Sequence, residues 1–95
     1  MKKNVPLNKI VPSMTQVDFS DMDLPLAVIY NRPDDFPDRV VARIREGRID
    51  CPTNVCCMYQ TVEESRKDLQ KAGFVLLMPR DERDVRSIVE TWIKK

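Results

Sequence analysis

Hydrophobic residues along this chain fall into short runs that polar and proline-containing segments separate. Short apolar runs with such boundaries are typical of strands that are buried on both faces of a sheet. They predict interior strands at 26–30, 55–60 and 74–78. Residues 39–46 place Val40, Ala42 and Ile44 on one side and arginines on the other, which predicts a strand with one buried face.

A helix is predicted over residues 61–72. Thr61 and Glu64 have the spacing of a capping box, and Gly73 follows as a helix terminator. The closing segment, 87–93, has two interpretations. Its apolar residues recur at helical spacing, but it is also rich in β-branched and aromatic residues, which favour a strand.

This order of elements predicts a small α+β domain over residues 25–95, with one sheet of about four to five strands and one helix. Residues 1–24 are irregular and contain apolar side chains between prolines, so we expect an extended arm that docks on its own domain or on a second copy. One helix covers one face of a sheet. A homodimer through the other face, or through the arm, is therefore expected.

Composition narrows the possible functions. The chain has 16 Lys+Arg against 15 Asp+Glu, and residues 25–54 carry five of each, so no basic face for nucleic acid or an anionic membrane is indicated. The chain has no histidine, which argues against catalysis by the commonest general base and against most kinds of catalytic zinc site. With neither a glycine-rich loop nor a long apolar run, we expect no cofactor, no membrane contact and a cytoplasmic location.

Three cysteines, at positions 51, 56 and 57, are an odd number clustered within seven residues, whereas a disulfide framework has an even number spread along the chain. Cys56 and Cys57 would point to opposite faces of a strand, which suits neither a bridge nor a shared metal. We expect free, buried thiols, with Cys51 beside Pro52 as the one most open to solvent.

The loop after the first predicted strand is the best candidate for a contact with another protein. Two prolines stiffen it, which lowers the entropy lost when it is ordered in a complex. The candidate contact residues, in this loop and on the following strand, are Tyr30, Arg32, Asp34, Asp35, Phe36, Arg43 and Arg45.

Other functions fit parts of the same region. The arginines between Arg32 and Arg48 could bind nucleic acid, although interleaved acids favour a salt-bridged surface. Asp34, Asp35 and Asp38 could hold a divalent cation, but they lack the glycine and the distal glutamate of a calcium loop. A small enzyme could use Asp34, Asp35 or Cys51. We assign no catalytic residue and no metal ligand.

Two stretches resemble a group of short bacterial, prophage and phage proteins with no established activity. One is Tyr-Asn-Arg-Pro-Asp-Asp-Phe-Pro at 30–37, and the other ends in Ile-Val-Glu-Thr-Trp-Ile at 88–93. The resemblance implies a strand at 87–93, although Val85-Arg86 stands where similar sequences have a proline. It also implies a phage- or prophage-associated accessory protein. The resulting hypothesis is a non-catalytic module that binds a host protein of unknown identity, for example to inhibit a defence system.

Overall fold

Residues 9–94, which the computed structural model describes, form a six-stranded sheet, one α-helix and a short 3-10 helix. In chain order the elements are β1 (Lys9–Val11), the 3-10 helix (Met14–Gln16), β2 (Pro25–Asn31), β3 (Val40–Glu46), β4 (Cys51–Tyr59), α1 (Val62–Lys71), β5 (Phe74–Pro79) and β6 (Ile88–Lys94). The α+β class is confirmed. The strand count of four to five was too low, and residues 1–8 of the expected arm lie outside the described residues.

The strands lie in the order β1-β4-β3-β2-β6-β5. β1 runs parallel to β4, and each of the other neighbours is antiparallel. The additional strand is β1, which has three residues. Among residues 9–94 its partner strand is β4, more than forty residues further along the chain, so no local sequence pattern predicts β1. β4 also begins four residues before the predicted boundary of 55, at Cys51.

The closing segment is a strand. β6 pairs with β2 on one side and with β5 on the other, so both sides of its backbone are hydrogen-bonded. A helix here would leave those backbone groups of β2 and β5 without partners. Tertiary pairing therefore overrides the helical spacing of its apolar residues.

Local signals account for both ends of α1. The Thr61 hydroxyl accepts a hydrogen bond from the Glu64 amide at 3.1 Å, and the Glu64 carboxylate accepts one from the Gln60 amide at 2.9 Å. The two hydrogen bonds make the cap reciprocal. In a standard capping box the Glu64 carboxylate would accept from the Thr61 amide, whereas here it accepts from the Gln60 amide. Gly73 ends the helix with φ of 94°, a conformation that favours glycine.

The core lies between the sheet and α1. On this face, which we call the helix face, the strands contribute Ala27, Ile29, Val40, Ala42, Ile44, Cys57, Tyr59, Phe74 and Trp92. Leu69 of α1 and Met14 of the 3-10 helix, both fully buried, pack against them. No helix of the described residues is long and apolar enough to cross a membrane.

A polar cluster fastens residues 13 and 14 to this core. The Asp68 carboxylate of α1 accepts hydrogen bonds from the Ser13 hydroxyl at 2.6 Å, the Met14 amide at 2.9 Å and the Tyr59 hydroxyl at 2.6 Å. Burial acts to raise the pKa of Asp68. The hydrogen bonds outweigh burial and hold that pKa below its ordinary value. Asp68 is therefore ionised at neutral pH and joins three parts of the chain.

One strand prediction was wrong in an informative way. The run at 74–78 was expected to be an interior strand, but β5 lies at the end of the sheet order. Phe74 is buried, whereas the next four side chains are between 42% and 53% exposed. An apolar run specifies a preference for burial but not the number of neighbouring strands that provide it.

Candidate protein-contact site

The face of the sheet opposite α1 holds the predicted contact residues. Because side chains alternate along strands, Tyr30 of β2, Arg43 of β3 and Cys56 of β4 share this face. Val28, Val41, Met58 and Ile93 lie on it too. Within residues 9–94 no helix packs here, and we call this surface the open face.

Tyr30 and Arg43 form the centre of the open face. The Arg43 guanidinium carbon lies 5.3 Å from the centre of the Tyr30 ring, a cation–π contact between neighbouring strands. The Arg43 Nε atom is buried and has no hydrogen-bond partner. The guanidinium therefore packs against the Tyr30 ring while one of its polar atoms has no hydrogen-bond partner.

The loop between β2 and β3 completes this arrangement. Asp35 of the loop forms an ion pair with an Arg43 amino group, which draws the loop against the open face. The loop turns away from β2 at Arg32, whose φ is 53°, and Pro33 behind it is buried. Phe36 is half-buried. The structure thus brings Tyr30, Arg43 and Asp35 together.

The remaining predicted contact residues lie around that centre and do not join it. Arg45 is two residues along β3 and pairs with Asp50 of the β3–β4 turn at 2.8 Å. Arg32 and Asp34 are exposed. Both arginines of β3 thus have acidic partners, as the expected salt-bridged surface requires.

The open face is partly shielded from solvent, although no helix of the described residues covers it. Val41 is fully buried and Val28 is 6% exposed. The strand neighbours of Val41 are Tyr30 and Met58. Large side chains therefore shield the middle of this face, and Met58 remains half-exposed.

The cysteines are free and differ in their surroundings. Cys51 is exposed as predicted, whereas Cys57 is buried on the helix face and Cys56 is half-buried beside Arg43. Burial raises the pKa of the Cys56 thiol, Arg43 opposes that rise, and Asp35 adds to it. The thiol is therefore protonated at neutral pH, which argues against a reactive nucleophile at this position.

A second surface feature, which the sequence did not reveal, is a groove of about 390 Å³ between α1, β5 and β6. Glu90 lies in it, 7% exposed, with Arg66 Nε at 2.8 Å and Trp92 Nε1 at 2.9 Å from one carboxylate oxygen. Burial acts to raise the pKa of Glu90, but these two partners lower it below its ordinary value. The available signal was an acid two residues before the tryptophan, between apolar residues of β6.

Asp34, Asp35 and Cys51, the residues of the enzyme alternative, do not line this groove. Among residues 9–94, no group of three or more His, Cys, Asp or Glu side chains is arranged to hold a metal ion. Comparisons with protein-family models, curated proteins and solved structures find no match to the chain. Functional proposals therefore rest on the geometry of its own residues.

Proposed function

We propose that the protein is a non-catalytic interaction module that binds a partner protein through the open face. The observation that carries this proposal is the Tyr30–Arg43–Asp35 cluster on a sheet face that no helix of the described residues covers. Tyrosine and arginine dominate the energetic centres of protein interfaces, and here the two are already stacked. A partner would meet a preformed surface and lose little side-chain entropy on binding.

Charge favours a protein over nucleic acid as the partner. A nucleic-acid surface needs arginines that are free to neutralise phosphates. Arg43 and Arg45 are instead paired with Asp35 and Asp50. The resulting surface mixes half-exposed apolar side chains with neutralised charge, as protein interfaces do.

The resemblance to phage and prophage proteins supports one class of partner. In this interpretation the protein is an accessory factor that occupies a surface of a bacterial host protein, for example a component of a defence system. Binding would be the whole of its activity in this interpretation, since Asp35 is engaged in an ion pair with Arg43 and the neighbouring Cys56 thiol is protonated.

An affinity purification from bacterial lysate tests the proposal. Tagged wild-type protein is compared with Arg43→Ala, and with Lys67→Ala as a matched control that removes an exposed cation from α1, on the opposite side of the sheet from the open face. Nuclease treatment is run in parallel. We expect a stoichiometric protein that survives nuclease, binds the Lys67 variant and is lost with Arg43→Ala.

Other outcomes would contradict the proposal. Recovery of nucleic acid alone, weakened steeply by salt, would make the arginines between positions 32 and 48 a phosphate-binding surface. A protein retained equally by both variants would place the contact elsewhere on the molecule. Circular dichroism of each variant shows whether a loss of binding reflects unfolding.

A further inference from the structure

β5 presents an apolar edge that the rest of the described chain does not cover. Val75, Leu76, Leu77 and Met78 are 42%, 53%, 44% and 48% exposed. No charged residue lies between positions 74 and 79. Because β5 ends the sheet, one side of its backbone has no strand beside it among residues 9–94. Exposed apolar edges of this kind pair with strands of other chains.

The opposite edge of the sheet is different. β1 has three residues, and short edge strands are one of the ways in which proteins avoid unwanted pairing. β5 has six residues. It carries a bulge at Leu77 and ends at Pro79, which has no N–H to donate. These features limit pairing to one short, defined segment.

Charge at the two ends of β5 favours an antiparallel partner with the same sequence. Lys71 precedes the strand and Lys94 pairs with its first residue, which gives this end two positive charges. Residues 80–87, the loop between β5 and β6, carry three arginines and three acids, so this end has no net charge. A second β5 that runs antiparallel keeps the two positive ends apart and places each beside the acids of the other copy's loop. A parallel partner would bring the two positive ends together.

Apolar surface continues from this edge onto the helix face. Phe74, Val75 and Leu76 form one wall of the groove between α1, β5 and β6, and Trp92 is also in its lining. A second copy at the edge therefore covers the exposed strand and the adjoining wall of the groove together. Strand pairing alone would bury much less apolar surface.

We propose that two copies of this chain associate through antiparallel pairing of their β5 edges, so that the two sheets become one continuous sheet. This site differs from the open face and the N-terminal arm, which the sequence suggested as dimer contacts. It also leaves the open face of each copy free, so the dimer does not depend on the proposed function.

Sedimentation velocity over a range from micromolar to near-millimolar concentration tests this proposal. Leu77→Lys is the informative variant, because Leu77 is the bulge residue and has no partner in β6. Ile49→Lys, at a position 70% exposed in the β3–β4 turn, is the matched control. Met58→Lys tests the alternative dimer through the open face. We expect Leu77→Lys to raise the dimer dissociation constant at least about tenfold and the other two variants to leave it unchanged.

Two outcomes would overturn the proposal. One is a wild-type protein that stays monomeric over the whole range, and the other is a dimer that Met58→Lys weakens and Leu77→Lys does not. Hydrogen exchange supplies a second readout that needs no substitution. Amides of residues 75–78 should exchange more slowly as the dimer forms, and unchanged exchange at a concentration where the protein is dimeric would place the contact elsewhere.

Discussion

The two faces of the sheet show two ways of burying the same kinds of residue. On the helix face, Leu69 and Met14 close a core with elements of the chain's own backbone, and the Asp68 cluster fixes their positions. On the open face, Val41 is as completely buried, but long side chains cover it. Backbone elements give a cover that cannot move without unfolding, whereas the side chains that cover the open face, such as Arg43 and Met58, are themselves accessible to a partner. The first face thus serves stability and the second suits binding.

The largest expected effect comes from removing Asp68. Asp68→Ala leaves the Tyr59 hydroxyl and the Met14 amide, both in buried residues, without their acceptor. We expect the free energy of unfolding to fall by about 3 kcal/mol, measured by urea denaturation. Lys67→Ala, an exposed position on the same helix, is the control. A loss no greater than the control's would show that the cluster does not hold the helix face together.

The pH dependence of stability gives a second test of the Asp68 cluster. Asp68 has a lowered pKa in the folded protein, so its contribution is fully present above the unfolded value of about 3.9 and is lost as pH falls through the folded value. The difference in unfolding free energy between wild-type protein and Asp68→Asn should therefore be constant near neutral pH and shrink below about pH 4. A difference that does not change with pH would contradict ionisation of Asp68 as its cause.

Adjacent valines of β3 compare the two faces directly. Val40 is 2% exposed on the helix face and Val41 is fully buried on the open face. We expect Val40→Ala to cost about 2 kcal/mol, because its packed surroundings cannot collapse into the cavity, and Val41→Ala about 1 kcal/mol, because the side chains above it can. Chemical denaturation of both variants measures the difference. Equal losses would mean that the cover of the open face is as rigid as the core.

Sequence patterns predicted elements whose signals are local, and they failed where a distant partner decides. The cap at Thr61, the stop at Gly73 and the alternation that places Arg43 outward all depend on neighbours within a few residues. The pairing of β1 with β4 depends on a strand far along the chain.

The same distinction explains the candidate sites. Tyr30, Asp35 and Arg43 belong to one strand–loop–strand unit, so their association could be anticipated. In the sequence, Asp68 cannot be distinguished from a solvent-exposed acid on a helix. Its role in joining segments depends on Ser13, more than fifty residues away, whose hydroxyl donates a hydrogen bond to the Asp68 carboxylate. The edge position of β5 depends on the order of the whole sheet, which its apolar run does not encode.

A smaller effect is expected at the end of the helix face. Glu90→Gln removes the negative charge that accepts hydrogen bonds from Arg66 and Trp92. We expect the free energy of unfolding to fall by about 1 kcal/mol. The loss is small because Arg66 is partly exposed and can be solvated in the variant. Trp92 is the single tryptophan, so its fluorescence reports the site directly. We expect the emission maximum to shift in the folded variant. An unchanged spectrum would show that the bond from Trp92 Nε1 to Glu90 does not form in solution.

The smallest effect on stability is expected at the centre of the open face. Arg43→Met removes an ion pair whose side chains are 36% and 54% exposed, together with an Nε atom that has no partner. Exposed pairs contribute little, and methionine preserves much of the apolar cover over Val41, so unfolding free energy should change by less than about 0.5 kcal/mol. Partner capture should nevertheless be lost, because the stacked guanidinium is gone. A large loss of stability would mean that the Tyr30–Arg43–Asp35 cluster maintains the fold, and the contrast between a stabilising face and a binding face would then fail.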